Sequence, residues 1–131
     1  MAFGMLHHVA IEVRRTDARG CADFYRLLGF ESVAPPESLR DRALWLERHG
    51  TQVHLLYADR PVVPAEGHLA LVVDDYQATI ERLCAAGHEA LPRREHWGSP
   101  RTVVRDPAGH RVELMADPPA AGVALAPLDG E

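Results

Sequence analysis

The chain has 131 residues, 47% of them hydrophobic and 25% charged, which is enough apolar material for the core of one compact domain. Its formal charge of −5 and pI near 5.9 come without a concentrated Lys/Arg stripe in either half, which argues against a nucleic-acid partner. Cys21 and Cys84 have neither CxxC nor secreted-disulfide spacing, no stretch approaches the roughly 20 apolar residues that span a bilayer, and no leader pattern opens the chain. A soluble cytoplasmic protein with two buried, reduced thiols is expected.

Residues 7 to 14 alternate, with Val9, Ile11 and Val13 on one side and His8, Ala10 and Glu12 on the other, the period of a half-buried strand. Thr16 and Asp17 offer N-caps. Cys21, Phe24, Tyr25 and Leu28 then recur at spacings of three and four up to Gly29, which predicts a short amphipathic helix. A strand around Phe30 to Ala34 follows, and Pro35-Pro36 breaks the pattern before a connection at Ser38 to Asp41. Ala43 to Glu47 and Gln52 to Tyr57 flank an Arg-His-Gly-Thr turn, a β-hairpin.

The plan then repeats. A strand over 68 to 73, a helix from about Asp75 to Ala86 closed by Gly87, a weak strand near 88 to 91 and a hairpin turning at Asp106-Pro-Ala-Gly109 complete a second unit. Each unit reads β-α-β-β-β. The expected boundaries are 1–57 for the first module, 58–67 for a linker containing Pro61 and Pro64, 68–117 for the second module, and 118–131 for a loose tail.

The repeat is visible residue by residue. His8-Val-Ala-Ile-Glu-Val13 returns as His68-Leu-Ala-Leu-Val-Val73, and Arg42 to Leu56 aligns without a gap on Arg101 to Met115, pairing Arg42 with Arg101, Gly50 with Gly109 and His54 with Glu113. His54 lies between Val53 and Leu55, and Glu113 between Val112 and Leu114, so alternation buries the neighbours and leaves each polar residue on the inner face of a curved sheet. A carboxylate in so apolar a strand is costly unless paired or metal-bound. His8, His54, His68 and Glu113, delivered at corresponding slots, form a candidate metal site. Zinc, nickel, iron(II), cobalt or manganese would suit such imidazole and carboxylate donors. His7, His49, His88, His96 and His110 lack equivalents and read as hydrogen-bonded core or rim residues.

At these residues the chain resembles the vicinal oxygen chelate superfamily, the glyoxalase, bleomycin-resistance and extradiol dioxygenase fold. The motifs are Leu6-His-His-Val-Ala-Ile-Glu-Val13, Asp23-Phe-Tyr-Arg-Leu-Leu-Gly-Phe30, Gly67-His-Leu-Ala-Leu-Val-Val-Asp-Asp75 and Asp106-Pro-Ala-Gly-His-Arg-Val-Glu-Leu114. The resemblance implies an α+β fold in which two tandem βαβββ modules form a cup-shaped curved mixed sheet with the helices outside. It also implies a divalent ion held by His8, His68 and Glu113, with His54 in a fourth slot where glyoxalase I-like members carry glutamate. A metal-dependent lyase or isomerase of the glyoxalase type is the leading expectation, acting on a small vicinally oxygenated substrate or thiol adduct, with Glu113 as both ligand and base.

Three other readings follow from the same resemblance. One is thiol or water addition to an epoxide, as in fosfomycin-resistance members, for which Arg101, Arg105 and Arg111 could supply a cation pocket. Another is extradiol oxygen insertion on iron(II). The third is metal-free drug binding of the bleomycin type, with Trp45, Tyr57 and Trp97 lining a groove. The resemblance also implies a homodimer, with the site built within one chain or across two.

Overall fold

The computed structural model describes residues 4–127. Eight strands and two α-helices follow in the order β1 (His8–Val13), α1 (Ala18–Arg26), β2 (Glu31–Val33), β3 (Ala43–Arg48), β4 (Thr51–Tyr57), β5 (His68–Val72), α2 (Tyr76–Ala85), β6 (Leu91–Arg93), β7 (Arg101–Arg105) and β8 (Arg111–Met115). They build two four-stranded mixed sheets, ordered β1-β4-β3-β2 and β5-β8-β7-β6, with β1 parallel to β4, β5 parallel to β8 and the other pairs antiparallel. This is the expected α+β fold with a repeated βαβββ module. The strands form two sheets, not one continuous one, and neither closes into a barrel.

Local chemistry accounts for most element ends. A single 3₁₀ turn, Arg15–Asp17, feeds α1, and the Ala18 N–H donates to Arg15 O. That backbone bond replaces the side-chain cap expected of Asp17, which makes no capping hydrogen bond. Both helices stop at a glycine with positive φ, Gly29 at 93° and Gly87 at 91°. In each case the next N–H reaches back to a carbonyl in the last turn, Phe30 to Tyr25 and His88 to Leu83, both at 3.0 Å. Since 88 is used in that exit, β6 starts at Leu91, later than the sequence pattern suggests. Asp75 caps α2 as expected, its Oδ1 accepting from Ala78 N at 3.1 Å.

The two hairpins differ, and the difference moves side chains. Between β3 and β4 the turn is two residues, His49 and Gly50, both with positive φ (51° and 78°). Between β7 and β8 it is longer, because Arg105 pairs with Arg111 and leaves Asp106 to His110 outside the ladder. Trp45 lies opposite His54 whereas Val103 lies opposite Glu113. Arg101 is therefore the structural counterpart of Ala43, not of Arg42 as the gapless alignment has it. A one-residue offset in a strand exchanges its two faces.

The aliphatic rows of both sheets pack into one core with α1 and α2: Val13, Phe24, Tyr25, Leu46, Leu55, Leu83, Val104, Val112 and Leu114 are all essentially inaccessible. Three polar ties cross between the modules. Tyr25 OH donates to Asp106 Oδ2 at 2.8 Å, His110 Nε2 donates to Glu12 O at 2.7 Å, and Arg48 Nη2 donates to Val72 O at 3.1 Å. Asp106 Oδ1 meanwhile accepts from Ala108 N and His110 N, so this buried carboxylate organises the β7–β8 turn and anchors α1. His110 thus has the structural role expected of it.

Cys21 is buried and its thiol is pushed up to about 12, chiefly by desolvation and then by the nearby Asp106 charge. Cys84 lies on the exposed side of α2, contrary to the expectation that both thiols are buried. No helix among the described residues is long and apolar enough to cross a membrane. Segment 118–127 carries no regular secondary structure, and residues 128–131 of the expected tail lie outside the described residues.

Candidate functional site

Strand alternation sends one row of each sheet into the core and the other onto an open face. On the first sheet the pairings Ala10–His54, His8–Gln52, Trp45–His54 and Glu47–Gln52 place these residues on one face. On the second, Ala70–Glu113, His68–Arg111, Val103–Glu113 and Arg101–Met115 do the same. All four candidate residues thus lie on open faces, as the alternation predicts.

The four come together as two pairs. His54 is 6% exposed and sandwiched between Trp45, with ring centroids 4.0 Å apart and planes at 2°, and His8, also at 4.0 Å and 18°. Its proton is assignable from its neighbours. Glu47 Oε1 accepts from Gln52 Nε2 at 3.0 Å, so Gln52 Oε1 must be the atom 2.7 Å from His54 Nε2, and that nitrogen donates. Desolvation, and then the adjacent His8 and His7 rings, lower the His54 pKa and keep the ring neutral. His7 and His8 stand side by side at the rim, their Nδ1 atoms 3.0 Å apart.

The second pair is His68 and Glu113. Glu113 is 8% exposed; its Oε1 accepts from Arg101 Nη1 at 2.9 Å, and its Oε2 lies 3.2 Å from His68 Nε2. His68 Nδ1 sits 2.9 Å from Glu66 O. A carbonyl can only accept, so Nδ1 carries a hydrogen. Its Nε2 faces Glu113 Oε2, an imidazole–carboxylate pair with a guanidinium on the far carboxylate oxygen. The sequence pattern singled out His68 and Glu113. Arg101 was named with Arg105 and Arg111 as a possible cation pocket, not as the partner of Glu113.

No group of three or more His, Cys, Asp or Glu side chains among the described residues is arranged to hold a metal ion. The donor chemistry agrees. The Nε2 lone pair of His54 is replaced by a donated hydrogen, Glu113 is already neutralised by Arg101, and His8 stacks on His54 without aiming at the second pair. As arranged, these residues do not fit one resident first-row ion.

A hollow of about 320 Å³ opens beside His68 and Arg101, the two partners of Glu113, and is bounded also by Glu66, Arg93, Arg94, Val103 and Arg111. A larger one, about 460 Å³, lies beyond the ends of β1 and β4 around Arg15, Asp41 and Tyr57; it contains no imidazole–carboxylate pair. Tyr57 there is covered by the Arg15 guanidinium, 4.4 Å from the ring centroid, and Trp97 Nε1 is tied to Asp117 O at 2.9 Å. Of the three expected groove aromatics, only Trp45 stands in the row of candidate residues.

Residues 8–115 match the family model described as a glyoxalase-like domain. Among curated proteins, glyoxylase I 4 of Arabidopsis thaliana is 26% identical over 138 residues, covering 96% of this chain and 76% of that protein. A glyoxalase family protein from Bacillus anthracis has a similar structure, with a TM-score of 0.80 at 22% identity over 88% of this chain and 96% of that one. Lactoylglutathione lyase from Agrobacterium tumefaciens follows at 0.68 and 21%, over 88% and 95%. At these identities the structural likeness speaks for the fold.

Proposed function

Because the chain belongs to the glyoxalase-like domain family, we propose that it is a lyase or isomerase of the glyoxalase type, acting on a small oxygenated substrate or thiol adduct at the open face of the second sheet. The observation that carries this reading is the pairing of His68 Nε2 with Glu113 Oε2 at 3.2 Å, beside a hollow large enough for a small molecule. Glu113 is the base. It takes a proton from the hydroxyl-bearing carbon next to a carbonyl, and the electron pair moves to the carbonyl oxygen to give an enediolate. The proton is returned to the former carbonyl carbon while the hydroxyl proton passes from the first oxygen to the second. One C–H and one O–H bond break and one of each forms, so the isomerisation needs no oxidant. His68 relays the proton, while Arg101 holds the carboxylate in place and offers a positive charge to the developing oxyanion.

The test is substrate profiling with hemithioacetals of small thiols, the product followed by NMR, on the wild type and Glu113→Gln. The glutamine variant keeps the shape and loses the base, so kcat should fall by about 10²–10⁴-fold with the melting temperature little changed. Turnover unaffected by the substitution would overturn the assignment. Elemental analysis on the same preparation reads the metal: a stoichiometric ion, lost in His68→Ala, would restore the four-ligand reading.

A further inference from the structure

We infer that the substrate of this face carries a tetrahedral dianionic group, of the phosphoryl type, held by Arg93, Arg111 and Arg94. The inference rests on the reading of the second sheet's open face as the substrate face and adds the chemical class of what binds there. Its basis is the cross-strand register. Arg93 lies directly opposite Arg101, and Arg105 directly opposite Arg111, all on the face that carries Glu113. Like charges placed opposite each other destabilise a sheet, and here two such pairs share one face. The carboxylates near them are Glu113, already paired with Arg101, Glu66 at the rim, and Glu89, which borders a neighbouring hollow with Arg93, Arg105 and Arg111 and, among the described residues, forms no ion pair with them.

Among the described residues, the guanidinium groups of Arg93, Arg94 and Arg111 make no hydrogen bond or ion pair, whereas Arg101 is engaged by Glu113 and Arg94 O, and Arg105 by Gly109 O. The three unengaged groups are the arginines that border the 320 Å³ hollow together with Arg101 and His68. Several guanidinium forks bordering one hollow suit a group with three or more acceptor oxygens and two charges. The first sheet gives an internal contrast: its open face places Glu31 opposite Glu47, with Gln52 and His54 next in line, and has no such arginine set. The excess of positive charge therefore belongs to one module and to the side of the His68–Glu113 pair.

The experiment is calorimetric titration of the full chain with sulfate, inorganic phosphate and acetate at constant ionic strength. Sulfate and phosphate should bind one per chain and at least tenfold more tightly than acetate. Arg93→Gln and Arg111→Gln should each weaken them by tenfold or more, while Arg15→Gln, at the other hollow, should not. Thermal melts add a second readout: without added anion, Arg93→Gln should melt at or above the wild-type temperature, because a repulsive pair is gone, and it should lose the stabilisation that phosphate gives the wild type. Binding no tighter for the dianions than for acetate, or unaffected by both substitutions, would overturn the inference. None of these measurements involves turnover, and Glu113→Gln should still bind phosphate, so failure here is distinguishable from failure of the proposed reaction.

Discussion

His54, a candidate metal donor by its slot in the repeat, is the middle layer of a ring stack. Trp45 covers one side at 4.0 Å, His8 the other, and the only in-plane bond identified for its Nε2 is to Gln52. A neutral ring fits this slot and a cation does not, since burial and two neighbouring imidazoles both oppose its charge. With the folded pKa below the ordinary value of 6.5, the unfolded chain binds the proton more readily, so stability rises with pH through this window. The benefit is fully present above 6.5 and is lost as pH falls through the depressed value. Thermal melts between pH 7.5 and 5 should therefore show a decline that is smaller in His54→Gln; parallel declines would contradict the assignment. Glu113, by contrast, sits where the repeat pointed, and its partner His68 was legible as the first residue of a repeated strand. The ion pair of Arg101 with Glu113 was not, because the register that brings them together depends on the length of a turn.

Elements show the same division. The helices were readable from spacings of three and four and from Gly29 and Gly87, whose left-handed backbone ends each helix where the pattern stops. The tie between α1 and the second module was not, because Tyr25 reads as one more apolar residue on the helix face. Its hydroxyl is the buried donor to Asp106 Oδ2, 81 residues away, and its own ionisation is pushed strongly upward by burial and by that carboxylate. Tyr25→Phe removes the donor and leaves a buried carboxylate oxygen without it. The expected cost is about 1–3 kcal/mol, with a correspondingly lower Tm by calorimetry. An unchanged Tm would show that the contact contributes nothing net. Asp106-Pro-Ala-Gly109 was identifiable as a turn from composition, yet its longer excursion from the ladder was not. That excursion sets the register of β7, and with it the row Arg101, Val103, Arg105 on the open face.

On the scale of the whole molecule, both sheets end in strands with one unpaired edge, β1 and β2 on one and β5 and β6 on the other. Such edges invite pairing or cover, and half-exposed apolar side chains lie near them, Leu91 at 48% and Val72 at 37%. A homodimer is the expected solution state, and light scattering at micromolar concentration should give twice the 14.5 kDa chain mass. A single-chain mass across that range would rule it out. The sequence by itself determined the duplicated βαβββ plan and the strand faces that carry His8, His54, His68 and Glu113, because period-two alternation, helix stops and turn chemistry are properties of neighbouring residues. Only the tertiary structure decided which of those groups meet. Pairing His68 with Glu113, closing His54 between two rings and turning the arginines of β7 toward the same space all depend on register and on contacts between distant segments, to which local pattern is blind.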